Sequence, residues 1–310
     1  MRGHSLILLL ATSAVVLAPP TAMSQSAGGL AFLKIETSAE ALGGGSALTA
    51  YSRDAFSTFV NPAGLGGHRP NAAGVGYTAW VGNVQLYNLA ARIQAGSSGA
   101  FGLAVTSSST GGIQARDQPG ASSGTFDAQF VSAGLGYGHS FGPVRAGVTA
   151  KYLSEQIYTE TATGYAFDLG VQVDLIPEVV WLGAAVQHLG KMNELNLEKT
   201  DIPETYRAGI TVEPLTVRTS DDDKSAVQTF LSLDVVHRPV DDVTAAQIGV
   251  WVFAFDFLWL RAGYLGGDAL RSYTAGLGLL YKSFRFDYAY LPFEAGFGNS
   301  GQALTIQYFW

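Results

Sequence analysis

The sequence predicts an all-β protein: a transmembrane antiparallel β-barrel of about fourteen strands, with a short N-terminal plug or hatch that contains small helices. Three observations predict it. A secretory signal opens the chain. From Asn71 onward, apolar residues alternate with small or polar ones at period two. The runs are joined by links that are mostly long at one end and very short at the other.

The opening segment has the order of an export signal. Arg2 supplies the positive start, Leu6 to Leu17 is apolar, and Ala22-Met23-Ser24 offers small residues for cleavage after Ser24. Residues 1–24 are therefore expected to be a signal peptide. The alternative is an N-terminal anchor, but a spanning helix needs about 20 apolar residues. A second apolar run, Ile248 to Leu260, carries Asp256 inside it. A charge at a helix centre costs roughly 3 kcal/mol, so two strands meeting at a tight turn fit better.

Residues 25–71 break the strand pattern. Ser38 to Leu42 and Ser52 to Val60 are helix candidates, with Ser52 or Asp54 as a cap and Pro62 near the end. The segment is too short for a domain. Its apolar Phe32, Leu33, Ile35, Phe56, Phe59 and Leu65 need burial, which the lumen of a barrel offers. Asn61, Pro62 and Gly64 are the plug or gating candidates. The alternative is a fifteenth strand plus a loop, with Ala47 to Tyr51 pairing in the wall.

Residues 72–310 form the expected barrel. Tyr165, Phe167, Leu169, Val171 and Val173 oppose Ala166, Asp168, Gly170, Gln172 and Asp174. Phe284, Phe286, Tyr288 and Tyr290 oppose Arg285, Asp287 and Ala289. Strands are expected near 72–80, 86–95, 100–108, 126–139, 144–156, 163–174, 180–189, 205–213, 227–236, 243–255, 257–265, 273–282, 284–291 and 301–310. A soluble sandwich would bury the apolar face and solvate the other. Here the second face carries Gly, Ala and isolated charges, as a lumen does. Trp80, Tyr137, Trp181, Trp251, Trp259, Tyr290 and Trp310 are expected near strand ends as interfacial girdles. Long links at 109–125 and 190–204 fall outside the cell. The link 214–226 is long on the periplasmic side and breaks the rule.

Lys151, Asp168, Arg207, Asp234, Arg261, Lys282, Arg285 and Asp287 fall on inward faces, forming a polar network in the lumen. Inward glycines such as Gly147, Gly170, Gly263 and Gly276 leave room for something close to the wall.

Composition excludes several functions. The net charge of −7 and the lack of a Lys/Arg cluster argue against nucleic acid. There are no cysteines, so disulfides give no help. No two of His68, His139, His188 and His237 have metal-ligand spacing. His139 and Ser140 are neighbours on a strand and point to opposite faces, against a lipase-like site. Gly134-Leu135-Gly136-Tyr137-Gly138 lacks nucleotide-loop spacing. Asp221-Asp222-Asp223 reads as a solvated loop before it reads as a calcium site. No catalytic residue, metal or cofactor is expected.

Several motifs in order carry a resemblance: Phe32-Leu33-Lys34-Ile35, then Ala39 to Ala47 with Gly43-Gly44-Gly45, then Asp54 to Leu65 with Asn61-Pro62-Ala63-Gly64-Leu65. Ala166 to Gly170, Val186 to Gly190, Ile202 to Gly209, Leu260 to Tyr264 and Phe286 to Phe293 continue it. Together they resemble the PorV/PorQ family of outer-membrane barrels, within the FadL-like superfamily. Tyr51-Ser52-Arg53-Asp54 departs from the Ala-Asp-Asp run of many relatives. The resemblance implies a fourteen-stranded barrel in the bacterial outer membrane, in contact with its lipid. It also implies docking of secreted proteins or secretion-system subunits in type IX-type secretion and surface attachment, through loops 109–125, 190–204 and 292–300. The alternatives are a FadL-like channel for hydrophobic small molecules and a soluble secreted β-protein.

Overall fold

The computed structural model describes residues 30–115, 124–195, 198–218, 225–268, 270–294 and 300–310. The proposed signal, residues 1–24, and Asp221-Asp222-Asp223 lie outside them.

The chain begins with a 3-10 turn at Ala31–Lys34. Two short helices follow, α1 (Ala39–Gly43) and α2 (Ser57–Val60), then a 3-10 turn at Pro62–Leu65. The wall consists of β1 (Ala72–Ala79), β2 (Val84–Ala95), β3 (Gly99–Ala115), β4 (Gly124–Phe141), β5 (Val144–Ile157), β6 (Glu160–Ile176) and β7 (Val180–Met192). A small ribbon of β8 (Glu194–Leu195) and β9 (Glu198–Lys199) stands in the link that follows. The wall resumes with β10 (Thr205–Arg218), β11 (Ser225–Arg238), β12 (Val243–Ala254), β13 (Leu258–Gly266), β14 (Tyr273–Tyr281), β15 (Phe284–Leu291) and β16 (Gly301–Phe309). Apart from β8 and β9, each strand pairs antiparallel with its neighbours, and β1 pairs with β16 to close a barrel of fourteen strands. Asn71 and Trp310 exchange two backbone hydrogen bonds at the seam, 3.0 and 3.1 Å. Closure leaves no free sheet edge, the condition for a sheet to cross lipid.

The faces are inverted relative to a soluble protein. Tyr165, Phe167 and Leu169 are 48%, 44% and 50% exposed, while Ala166, Asp168 and Gln172 between and beside them are fully buried. Leu135 is 70% exposed and its neighbours Gly134 and Gly136 face inward toward Thr149. An apolar band of this extent is a lipid-facing surface.

The links modify the expectation. The pairing of β3 with β4 runs past Thr110↔Ala128, through a bulge, to Ile113↔Phe126 and beyond. Likewise β10 and β11 continue as a bulged hairpin through Thr216↔Gln228 and Val217↔Val227. Much of 109–125 and of 214–226 is therefore strand, because the Thr and Val residues there keep pairing after the wall ends. The turn near Asp256 places Phe255 and Asp256 at φ 57° and 61°, the left-handed pair of a tight hairpin. Lys282, expected inward, sits exposed in the turn between β14 and β15 with φ 54°. Trp181, Trp251 and Trp259, expected in girdles, face the lumen, the first two each 3% exposed. Their strands present them on the small-residue face, where large rings fill space beside the plug.

One ladder is incomplete. The β7–β10 pairing stops at Gln187↔Thr205, so β7 continues from His188 to Met192 without a β10 partner. His188 has φ 64°, and the β6–β7 register shifts at the same place, opposite Asp168.

Candidate functional site

The lumen is filled by residues 30–71. Ala47 and Ala50 are fully buried there and unpaired with any strand, so the fifteenth-strand alternative does not hold. Ser38 caps α1 by accepting from Ala41 N–H. Asp54 Oδ1 accepts from Phe56 N–H just before α2. Pro62 does more than follow a helix: it opens the next 3-10 turn, capped by Asn61.

The plug approaches the wall at backbone distance. A Cβ on Gly147 would collide with the Pro62 carbonyl, one on Gly170 with Asn61 Oδ1, one on Gly183 with the Thr49 carbonyl and one on Gly263 with Gly45. The wall glycines are thus the floor on which the plug's main chain rests.

Polar contacts then bind plug to wall in three groups. In the first, Arg285 Nη2 lies 2.5 Å from both Glu40 Oε2 and Asp54 Oδ2, and Arg285 Nε lies 2.9 Å from Asp287 Oδ2. Arg261 pairs with Asp287 at 2.7 Å and reaches Glu40 at 4.0 Å. Gln307 adds a bond to Asp54 at 2.8 Å. Three carboxylates face two guanidiniums, a surplus of one negative charge. Burial pushes Glu40 up to about 7 in spite of Arg285. Burial also raises Asp54, but Arg285 and Gln307 outweigh it and hold Asp54 below its usual range.

In the second group, Arg207 reaches Thr49 Oγ1 at 3.1 Å, Glu36 Oε1 at 2.5 Å and the Ser46 carbonyl at 2.6 Å. Asp234 lies 3.6 Å from Arg207 and accepts Thr49 N–H at 2.9 Å. In the third, Lys151 pairs with Asp168 at 2.5 Å and lies 3.2 Å from His188 Nδ1, while Asp168 accepts His188 N–H at 2.8 Å. This group lies at the bulge where the β7–β10 ladder ends.

Asn61 is fully buried. Its Nδ2 donates to the carbonyls of Thr49 at 2.8 Å, Val171 at 3.2 Å and Ala184 at 3.3 Å, joining plug to β6 and β7. Pro62 is buried against β5, and Gly64 packs under Ser52 within the plug. Lys151, Asp168, Arg207, Asp234, Arg261 and Asp287 are all buried, in the three groups above.

Sequence reading passed over several residues. Arg92 is fully buried and binds the carbonyls of Leu65, Gly67, Arg69 and Pro70 at 2.7 to 3.1 Å in its closest contacts. Gln187 holds the Phe59 and Val60 carbonyls at 2.5 and 3.1 Å, and Gln172 holds Thr49 at 3.1 Å. Their inward parity was readable; that they would meet main-chain carbonyls was not.

Small cavities border the plug. One cavity of about 40 Å³ is lined by Phe32, Glu36, Phe59, Lys151, His188, Arg207 and Arg238. A second of about 20 Å³ lies beside Tyr51 and Trp251. A cavity that holds benzene is about 150 Å³, so both accommodate water and nothing larger. Among the described residues no group of His, Asp and Glu could hold a metal.

The sequence matches no family model. It matches no curated protein. Its shape is similar to solved outer-membrane barrels. A monoaromatic hydrocarbon channel, TodX with a deletion, aligns at TM-score 0.61 and 12% identity, over 88% of this chain and 98% of that one. The Ralstonia pickettii toluene transporter TbuX aligns at 0.59 and 13%, over 88% and 98%. A Pseudomonas aeruginosa FadL homologue aligns at 0.52 and 11%, over 88% and 98%. These likenesses agree with the fold: a closed antiparallel barrel of fourteen strands with small N-terminal helices.

Proposed function

We propose that this protein is an outer-membrane conduit for small hydrophobic molecules, closed in the present state by its own N-terminal segment. The observation that carries the reading is how the plug is held. Residues 30–66 make no strand pairing with the wall, only side-chain bonds and close packing on glycines, and main-chain bonds to the wall begin at Gly67 and Asn71, where the segment joins it. Withdrawing it therefore costs no wall ladder. Lumen charges such as Arg207 and Arg261 would then be hydrated rather than stranded. Support comes from the likeness to channels whose described cargo is toluene or monoaromatic hydrocarbon. The larger cavity lies where the β7–β10 ladder stops.

A disulfide tests the reading. Ala39 N–H donates to Thr305 Oγ1 at 2.8 Å, so plug and wall backbones run side by side there. The chain has no cysteine of its own to interfere. The pair Ala39→Cys, Thr305→Cys is expected to block uptake of labelled toluene or fatty acid into proteoliposomes when oxidised, and to recover on reduction. Equal entry with and without the barrel would end the reading.

The second reading is docking of exported proteins or secretion-system subunits, as the PorV/PorQ resemblance implies. Its support is that resemblance together with the β8–β9 ribbon, whose Glu194 and Lys199 side chains are exposed. Removing residues 193–200 is expected, on this reading alone, to abolish surface display of secreted proteins while leaving membrane insertion and uptake intact.

A further inference from the structure

We infer that the wall carries a binding site for a phenol-type aromatic ring, occupied in this structure by the plug's own Tyr51. Four inward rings from the wall gather at the end where β12 turns into β13: Trp181, Phe230, Trp251 and Trp259. The Tyr51 ring meets Trp181 edge-on at 4.6 Å and Phe230 at 5.1 Å, and Phe230 lies 6.1 Å from Trp259. These are favourable centroid separations for rings that avoid face-to-face stacking.

Two observations set the cluster apart from ordinary core packing. A gap of about 20 Å³ remains beside Tyr51, bordered by Phe230, Trp251 and Trp259 on the wall. Interiors leave few such spaces, so the packing round Tyr51 is not fully closed. Moreover, the indole N–H of Trp251 is buried without a hydrogen-bond partner, whereas buried indoles ordinarily find one. The wall therefore presents rings together with an unused donor.

The occupant belongs to the plug. Tyr51 follows Thr49 and Ala50 in an irregular stretch and is steadied by the next residue but one. The Arg53 guanidinium sits 3.9 Å from the Tyr51 ring centre and 5.0 Å from that of Trp181. When the plug moves, Tyr51 leaves and the gap grows by the volume of a phenol ring. A phenol fits what remains. Its ring replaces that of Tyr51, and the Trp251 N–H, packed against the plug's Gly44, is freed with the plug to donate to its oxygen. On the wall side of the gap, the bonded pair Thr211 and Ser232 suits a hydroxyl. The role of the site rests on the conduit reading: a ring crossing the lumen competes with Tyr51 for the cage and so favours the open plug.

The test uses the purified protein in detergent with p-cresol and toluene as probes. Three of the five tryptophans lie in the cage and report on it by fluorescence, with calorimetry alongside. Tyr51→Ala is expected to bind p-cresol at least ten-fold more tightly than the wild type, and toluene several-fold more weakly than p-cresol. Tyr51→Phe keeps the ring in place and is expected to behave as wild type. Tyr51→Ser is a second vacating variant, and each variant is checked for wild-type β-sheet circular dichroism. Adding Phe230→Ala to Tyr51→Ala should remove the gain. Equal p-cresol affinity in wild type and both vacating variants would overturn the site, even where uptake persists. Tight binding without uptake would uphold the site and count against the conduit.

Discussion

At the scale of single residues, the lumen is a set of buried charges matched across two parts of one chain. Glu40 is the member with the clearest consequence. Its carboxyl is raised from 4.5 to about 7 in the docked state by burial. A docked state that holds a proton more tightly than the released one is favoured at low pH. The contribution is complete below about 4.5 and is lost as pH rises through 7. At most about 3 kcal/mol is at stake. Protease protection of residues 30–71 should therefore fall between pH 5 and pH 8. Glu40→Gln, which carries no charge at either pH, should flatten that profile. Asn61 offers a second prediction. Asn61→Ala removes the cap on Ala63 N–H and the amide shared by three carbonyls. It is expected to cost about 1–3 kcal/mol of plug docking. Hydrogen exchange should rise in residues 57–71 and stay unchanged in the wall ladder.

At the scale of elements, the plug and the glycine-bearing strands are one fitted surface. The helices of the plug are too short to be stable alone, so their conformation depends on the wall that receives them. Gly170 faces the Asn61 side chain so closely that any Cβ displaces it. Gly170→Leu is thus expected to expel the segment around Asn61 without disturbing the β5–β6–β7 pairing. Planar-bilayer recordings should show higher and noisier conductance than the wild type. A conductance equal to the wild type's would mean that the plug tolerates a shift at this contact. How much of this was legible varies with the element. The alternation in β6 placed Asp168 and Gln172 inward from sequence alone. The same parity could not say that Gln172 meets the Thr49 carbonyl. That contact joins residues 123 positions apart and depends on how far the barrel has curved. Trp181 and Trp251 were misread for a related reason. An aromatic near a strand end suits either a lipid girdle or a lumen, and only the face it occupies decides.

At the scale of the whole molecule, wall and plug answer to different forces. The wall holds together by its own hydrogen bonding, each barrel strand pairing on both sides over most of its length. The plug contributes none of those pairs. Deleting residues 25–66 is therefore expected to leave a folded barrel with native far-UV circular dichroism in detergent. Its lumen would fill with water and hydrate Arg207, Arg261 and Asp287, giving steady open-channel currents. Loss of the β-sheet signal would mean that the plug is needed to fold the wall.

The sequence by itself determined the barrel: period-two alternation, an even strand count and inverted faces are local properties, readable along the chain because each residue's side of the sheet follows from its parity. It also marked residues 25–71 as distinct from the rest. Tertiary structure decided between lumen and wall for that segment, and it alone showed that Lys282 turns away from the lumen and that Arg92 holds four plug carbonyls. Those facts depend on which distant strands face each other across the closed lumen. Closure is a property of the whole ring of fourteen strands, and no stretch of the chain encodes it separately.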